Sequence, residues 1–204
     1  SASRMRRAVR KASAPLMRHL CDVPSQRWRN GGGVTCELIA VPPGEDWRWR
    51  VSLAEIARDG PFSPFPGVQR WFAVVEGAGV ELDFHGAGTR CLRNHKPLHF
   101  DGAQAPFCRL LAGPTRDLNL MLRGGAKGAM HRAHAGEPWR PTTAQAGLYT
   151  TAAGRVHADG GVDCEVPVET LLWFEVAPAT LRFDGPRDAA AWWLEVDDSG
   201  EPQP

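Results

Sequence analysis

The chain has 204 residues, which is enough for one large domain or two small ones. Hydrophobic residues make up 43% of it and charged residues 23%, the ordinary balance of a globular protein that buries a core. The formal net charge is +1 and no apolar run approaches the roughly 20 residues of a membrane span, so the composition argues against nucleic-acid and membrane partners.

Residues 1–18 form a distinct basic segment with six positive charges and no acid. A transit peptide or a nucleic-acid-binding arm has such a composition, but no long apolar segment follows, so it is not a secretory signal. We expect a disordered extension, or a shorter protein that begins at Met5 or Met17. The six cations are Arg4, Arg6, Arg7, Arg10, Lys11 and Arg18.

Short strands dominate the first half of the chain. A short helix is expected at residues 16–22. After it come segments that are rich in β-branched or aromatic residues or alternate with a period of two, separated by Gly, Pro, Asp and Asn. These predicted strands cover residues 34–41, 47–57, 68–76, 80–85, 97–100, 107–111 and 117–123.

Residues 124–145 interrupt this pattern, because they are rich in Gly and Ala and contain few large apolar residues. We interpret them as an irregular connection or a bridging hairpin, with His131 and His134 as surface histidines. Many short strands at this spacing indicate an all-β sandwich or barrel. Strands resume at residues 145–152, 155–158, 169–176, 180–183 and 191–196.

Three pairs of segments recur in the same order and predict two copies of one β-unit. The polar positions of the two copies differ, so a functional site is expected mainly in one of them. The pairs are residues 71–74 with 173–176, residues 100–102 with 183–185, and residues 109–112 with 192–195.

The most distinctive segment is residues 59–70, which place three prolines and two glycines around Phe62 and Phe65. Proline fixes φ and glycine permits positive φ, so this loop is stiff and shaped. It lies between two predicted strands and ends in Arg70. We interpret it as the wall or mouth of a binding pocket. The alternative is a long connection whose phenylalanines cap a core.

Alternation divides the neighbouring strands into an apolar face and a polar face. The polar faces carry Arg50 and Ser52 on one strand and Asp117 and Asn119 on another. A face that meets water needs no function to be polar. This set, however, is poor in Lys and Glu, which favours the interior of a small barrel open at one end.

Two arginines are candidates for anion recognition. If Arg50 and Arg70 point inward, they either pair with Glu37 and Asp117 or hold an anionic ligand. A guanidinium group presents a planar fork that matches a carboxylate bidentately.

The usual patterns of metal sites and nucleophiles are missing. Small β-barrels often bind metal through clustered histidines, but this chain has Gln69 and Arg70 where such a barrel would have them. His95 and His99 are separated by Pro97. Gly-x-Ser-x-Gly, Walker and Rossmann patterns are absent from the sequence. We therefore predict no metal, no other cofactor and no catalytic residue.

The cysteines are scattered, odd in number and never in Cys-x-x-Cys spacing. This argues for a reducing compartment and against a disulfide framework, and a cytoplasmic location is expected. The five are Cys21, Cys36, Cys91, Cys108 and Cys164.

Four ordered motifs resemble the HutD/Ves family. The first is Trp-Arg-Asn-Gly-Gly-Gly-Val-Thr-Cys-Glu at residues 28–37, and the second is Trp-Arg-Val-Ser-Leu-Ala at 49–54. The third is the shaped loop with Arg70, and the fourth joins Phe-Asp-Gly at 100–102 to Asp-Leu-Asn-Leu-Met at 117–121. The match is strong over residues 23–123 and looser beyond.

This resemblance implies an all-β cupin (RmlC-like jelly roll) fold with two β-barrels in one chain, a bicupin. Residues 19–124 would form the first barrel with the main pocket. Residues 125–204 would form a connection and a second, degenerate barrel, with strands open to exchange between the two. The implied role is a small-molecule-binding regulator of histidine utilisation that senses N-formylglutamate, urocanate or formate in a metal-free pocket.

The expected partner is a small anionic carboxylate metabolite, without nucleic acid or membrane, and homodimer formation is left open. A cupin-type enzyme with Glu37 or Asp117 as general base and a protein-interaction module are the alternative functions. The ligand-binding candidates that the resemblance implies are Asn30, Thr35, Glu37, Arg50, Ser52, Arg70, Asp117 and Asn119, with Phe62, Ser63 and Phe65 at the pocket rim.

Overall fold

The structure is a computed structural model that describes residues 14–93 and 95–198. Within these residues, strands and connecting loops make up nearly the whole fold, with two short 3-10 helices at Leu20–Asp22 and His85–Ala87. No helix in this part of the chain has the length and apolar character needed to cross a membrane.

The strands are numbered in chain order. They are β1 Leu16–His19, β2 Ser25–Arg27, β3 Gly33–Val41, β4 Trp49–Ile56, β5 Gly60–Pro61, β6 Val68–Glu76, β7 Val80–Asp83, β8 Thr89–Leu92, β9 Leu98–Asp101, β10 Phe107–Leu110, β11 Thr115–Arg123, β12 Lys127–Ala133, β13 Pro138–Trp139, β14 Gln145–Thr150, β15 Gly154–Ala158, β16 Val162–Val166, β17 Thr170–Phe174, β18 Leu181–Asp184 and β19 Ala191–Asp197.

Two copies of one eight-strand topology make up the fold. In the first unit, defined as β4–β11, one sheet has the order β4-β11-β6-β9 and the other β5-β10-β7-β8. In the second unit, β12–β19, the orders are β12-β19-β14-β17 and β13-β18-β15-β16, so each strand number rises by eight. Two antiparallel four-stranded sheets joined in this way form a jelly roll. The predicted all-β cupin-type fold is confirmed.

The remaining strands extend the two larger sheets. Strands β2 and β3 continue the first unit's sheet beyond β4, whereas β1 pairs with β17 at the edge of the second unit's sheet. The N-terminal strand therefore belongs to the sheet that is most distant from it in sequence.

Among the described residues, the buried apolar side chains form four clusters, three of them large and a small one around Trp47 and Met121. Residues Trp49, Val51 and Leu53 of β4 pack in a cluster that also contains Trp173 of β17, and the Trp49 and Trp173 ring centroids are 4.7 Å apart. Separate clusters fill the interiors of the first and the second unit. The apolar face of β4 is therefore the interface between the units, and its polar face points into the first unit.

Two predictions about local structure were wrong. The helix expected at residues 16–22 is strand β1 followed by a 3-10 turn, because Leu16 pairs with Trp173 across the sheet. The irregular segment expected after residue 124 contains the full strand β12. Its glycine has a packing reason: a Cβ atom at Gly128 would lie 2.3 Å from the Glu195 carbonyl oxygen. Residues 1–13 of the expected disordered extension lie outside the described residues, whereas residues 16–18 belong to strand β1.

The predicted internal repeat exists, but its sequence pairs join the wrong strands. The topology relates β6 to β14 and β9 to β17. The matched segments instead join Trp71 of β6 to Trp173 of β17, and Phe100 of β9 to Phe183 of β18. Those similarities reflect a shared strand composition and not equivalent positions.

Candidate functional site

A cavity of about 700 Å³ lies inside the first unit. Three central strands, β4, β11 and β6, supply its polar wall, while the β2–β3 turn and the loop after β5 supply the rest. The described residues that line the cavity include four arginines and neither Asp nor Glu; the arginines are Arg27, Arg29, Arg50 and Arg70.

The strand register brings the polar side chains together. Met121 of β11 lies opposite Arg50 of β4 on one side and Arg70 of β6 on the other. Asn119, two residues earlier on the same face, lies opposite Ser52. Because side chains alternate along a strand, all five project from the inner side of the sheet.

Arg70 is a buried cation without an acidic partner among the described residues. It is 6% exposed, and its Nη2 donates a hydrogen bond of 2.8 Å to Asn119 Oδ1, whereas its Nε has no partner. Its guanidinium carbon lies 5.2, 5.6 and 5.1 Å from the ring centroids of Phe62, Phe65 and Phe100. Burial, and then the charge of Arg50, lower the pKa of Arg70 to about 10. The side chain thus remains charged at neutral pH in an aromatic surround.

Arg50 differs from Arg70 because it has an acidic neighbour. Arg50 Nε lies 3.0 Å from Glu37 Oε1, although the N–H is not aligned with the carboxylate and makes no hydrogen bond. The Glu37 side chain is 46% exposed and does not line the cavity. The structure shows a loose ion pair between Arg50 and Glu37, which is one of the two alternatives expected for Arg50; the other, an anionic ligand, stays a prediction.

Asp117 is on the predicted inner face, opposite Ala54, but it does not line the cavity. It is 0% exposed; its Oδ2 accepts a 2.9 Å hydrogen bond from Thr115 Oγ1, and its Oδ1 has no partner. Burial raises the pKa of Asp117 to about 8, against the opposing effect of the Thr115 bond. Burial and the nearby Asp117 also raise the pKa of the Cys108 thiol to about 12. Asp117 makes no pair with Arg70, whose side-chain partner is Asn119.

The β2–β3 turn forms the opposite wall. Trp28 Nε1 donates a 2.8 Å hydrogen bond to Thr35 Oγ1, and the Trp28 ring meets the Phe62 ring edge-on at 6.5 Å. Asn30 lines the cavity, but its Oδ1 accepts the Gly32 N–H at 2.8 Å, so it shapes the turn as well.

The shaped loop is both a wall of the cavity and a cap on the apolar core, so the two interpretations apply together. Phe62, Ser63 and Phe65 line the cavity, as a pocket wall would. Phe62 is also 8% exposed and belongs to the apolar cluster inside the first unit, so it caps a core at the same time.

Most of the sequence-predicted candidates lie around this one cavity. Glu37 and Asp117 do not line it. Sequence reasoning missed Trp28 and Arg29, although they begin the first motif, and it missed Arg27, which directly precedes that motif. The candidates that line the cavity are Asn30, Thr35, Arg50, Ser52, Arg70 and Asn119, with Phe62, Ser63 and Phe65.

The side chains that line the cavity are of types that can bind an anion. Guanidinium, amide and hydroxyl groups face the space, and aromatic rings surround them. Within residues 14–93 and 95–198, no group of three or more His, Cys, Asp or Glu side chains is arranged to hold a metal ion.

Comparison with known proteins gives relatives of similar length and fold. The HutD family model matches residues 21–191. Protein Ves of Citrobacter koseri is 42% identical over 103 residues, 50% of this chain and 54% of that protein. An uncharacterized 21.2 kDa protein in the hutC 3′ region of Pseudomonas putida is 36% identical over 135 residues, 65% of this chain and 66% of that protein. The matched part of this chain thus spans from about half to two thirds of these relatives.

Two solved structures extend the comparison. HutD from Pseudomonas fluorescens SBW25, in a formate condition, has 25% identity and a TM-score of 0.75, with 92% of this chain and 100% of that chain covered. A point mutant of Bacillus subtilis oxalate decarboxylase has 9% identity and a TM-score of 0.59, with 95% and 79% covered. At such low identity the second likeness concerns the fold alone.

Proposed function

Because the chain belongs to the HutD family, we propose that it is a cytoplasmic, small-molecule-binding regulator of histidine utilisation that senses a carboxylate in the first unit's cavity. N-formylglutamate, urocanate and formate are the candidate ligands.

The proposal rests on one observation: Arg70 is buried and has no acidic partner among the described residues. A buried charge without a counter-ion is costly, so a fold that keeps one needs a reason. Arg70 has a free Nε, one neutral partner in Asn119 and three phenylalanine rings around it. An anionic ligand would supply the missing counter-ion, and a charge-assisted bond to it would be stronger than a neutral one.

The surrounding groups suit the rest of a small organic acid. Asn119 accepts from Arg70 with its oxygen and donates one amide N–H to the Asp117 carbonyl oxygen at 3.5 Å, which leaves its second N–H to donate toward a ligand. Ser52 adds a hydroxyl that can donate or accept. The Phe62 and Phe72 rings offer apolar contact to a carbon skeleton.

The relatives support the pathway assignment. The Pseudomonas putida relative is described by its position in the hutC 3′ region, and the solved Pseudomonas fluorescens relative bears the name HutD. Formate was present in that structure's condition, which makes it a natural first probe.

The enzyme alternative has less support. A general base must reach the proton that it abstracts. Asp117 is 0% exposed and Glu37 is about half exposed, and neither carboxylate lines the cavity, which counts against this role.

Titration of formate, urocanate and N-formylglutamate into the wild-type protein and Arg70→Met tests the proposal. We expect at least one acid to bind the wild type and to lose on the order of tenfold or more in affinity in Arg70→Met, the effect of a lost charged hydrogen bond. The melting temperature of the variant should rise, because Met suits an aromatic surround better than an unpaired cation does.

Arg109→Met is the matched control. Arg109 also lies over an aromatic ring, 5.5 Å from the Phe107 centroid, but its side chain is 59% exposed and outside the cavity. The affinity of the Arg109→Met variant for the acid should equal that of the wild type. Equal binding by Arg70→Met and wild type, or binding of none of the three acids, would contradict the proposal.

A further inference from the structure

The two inner arginines of the first unit are in different electrostatic states. Arg70 has no acid near it, whereas Arg50 lies 3.0 Å from Glu37, on strand β3 outside the cavity lining. Both arginines flank Met121 in the strand register, and the charge of Arg50 reaches Arg70. The two positive charges repel each other. An acid that attracts Arg50 therefore reduces the repulsion that Arg70 experiences.

The position of Glu37 follows from an irregularity in β3. The pairing of β3 with β4 shifts between Glu37, opposite Ser52, and Ile39, opposite Val51, so Leu38 is an extra residue. Such a bulge re-aims the side chains next to it. Leu38 packs in the layer between the two units, and Glu37 is left beside Arg50.

We propose that Glu37 is an internal counter-ion that competes with the bound carboxylate for Arg50 and so sets the affinity of the cavity for anions. In the empty state Arg50 is held by Glu37, and in the bound state it turns toward the anion at Arg70. This inference rests on the proposed function, because it assumes that the anion binds at Arg70.

The Arg50–Glu37 pair is suited to such an exchange. Arg50 lines the cavity with 19% of its side chain exposed, so it is already at the wall. The carboxylate of Glu37 is about half exposed and its bond to Arg50 is misaligned, and such pairs are weak. An anion between two guanidinium groups in a less hydrated space is the stronger partner. Glu37 does not touch the ligand in this scheme and acts only through Arg50.

Formate titration at constant ionic strength, followed by the NMR signals of the arginine Nε–H groups, tests the inference. We expect Glu37→Gln to bind formate about two- to fivefold more tightly than the wild type, the range for one partly exposed ion pair. Arg50→Gln should bind more weakly. In the Arg50→Gln background, Glu37→Gln should bring no further gain, because the two residues act on each other.

Glu81→Gln is the matched control. Glu81 forms an exposed ion pair with Arg109, with 3.9 Å between Glu81 Oε1 and Arg109 Nε, and neither residue lines the cavity. Unchanged or weaker formate binding by Glu37→Gln would overturn the inference, and so would a gain that persists without Arg50. Arg70→Met separates the two hypotheses. If it binds formate like the wild type, the proposed function is wrong; if it loses formate while Glu37→Gln gains nothing, only the role of Glu37 is wrong.

Discussion

The two units share one strand topology and each contains a packed apolar cluster, but the first unit also contains a cavity with a polar wall. The middle strand of the first unit, β11, directs Asn119 and Met121 toward a cavity. The middle strand of the second unit, β19, directs Trp193 into a packed cluster, where it stacks on Trp139 with ring centroids 5.1 Å apart. The topology therefore does not decide whether a unit contains a polar cavity. The volume and polarity of the inward side chains decide it.

The second unit also explains how the first can keep its polar interior. Both units contribute to the layer between them, with Leu118 and Leu120 on one side and Trp192 and Leu194 on the other. This layer buries apolar area on the outer face of the first unit's sheet. The inner face is therefore free to carry arginines at some cost in stability.

The strongest test of this contrast is to remove a large buried side chain from the interior of the second unit. Trp193→Ala removes a side chain that is 2% exposed, and we expect a loss of about 3–5 kcal/mol in the free energy of unfolding. Urea unfolding followed by circular dichroism measures it. Formate affinity at 25 °C should be unchanged in the folded variant, because the binding groups lie in the other unit.

Trp139→Ala is the control for Trp193→Ala. Trp139 is only partly buried, so its removal should cost less. A loss below about 1 kcal/mol for Trp193→Ala would show that the second interior is not filled by this residue.

Each unit buries one carboxylate, and the two respond oppositely to pH. Asp117 has a raised pKa because it is buried without a cation. Burial alone would also raise the pKa of Glu195, but hydrogen bonds from His131 and Thr142 outweigh it and lower that pKa. Asp117 thus keeps its proton in the folded state to about pH 8, whereas the unfolded chain releases it near 3.8.

This difference fixes the sign of the pH dependence. Between those values the folded state holds the extra proton, so the Asp117 contribution to stability falls as pH rises, by up to ~1.4 kcal/mol per pH unit. From pH 5 to pH 7 the wild type should lose up to ~2.7 kcal/mol relative to Asp117→Asn. Urea unfolding at both pH values checks this expectation.

Glu195→Gln should show the opposite behaviour. A lowered pKa contributes stability above the unfolded-state value of 4.5, and that stability disappears as pH falls through the folded-state value. Glu195→Gln should therefore be destabilising at neutral pH and lose its effect in acid.

Parallel pH profiles for Asp117→Asn and the wild type would contradict the state assigned to Asp117.

The sequence was most informative where local chemistry determines structure. Period-two alternation correctly separated Arg50, Ser52 and Asn119 from the apolar residues of their strands, and the prolines of residues 59–70 predicted a shaped wall. Alternation gives the face of a strand but not the depth along a barrel. It therefore could not distinguish Asp117, which is buried and does not line the cavity, from Asn119, which lines it.

Other features depend on contacts between distant segments. Glycine and alanine in β12 indicated an irregular segment, whereas the structure uses Gly128 for a close approach to β19. The β3 bulge that leaves Glu37 beside Arg50 has no sequence signal of its own, since it depends on how β3 pairs with β4. Such features are decided by tertiary packing, which overrides local preference.

The finest difference concerns how a tryptophan is held at the cavity and at the interface between the units. Trp28, at the cavity, donates its indole N–H to Thr35 Oγ1 at 2.8 Å, and Trp173, in the packed interface, donates to Gln145 Oε1 at 3.0 Å. Thr35→Val keeps the shape of the side chain but removes the acceptor. We expect a loss of about 1 kcal/mol in the free energy of unfolding and a small, severalfold loss of formate affinity, because Trp28 forms one cavity wall.

Gln145→Met removes the acceptor of the other indole and should cost a similar or larger amount, because Trp173 is 1% exposed, without changing formate affinity. Urea unfolding and formate titration on both variants give the comparison. If Thr35→Val and Gln145→Met affect formate binding alike, the Trp28 contact does not shape the cavity. If only Thr35→Val affects formate binding, the indole hydrogen bond shapes the cavity wall at Trp28, whereas the one at Trp173 stabilises only the packed interface between the units.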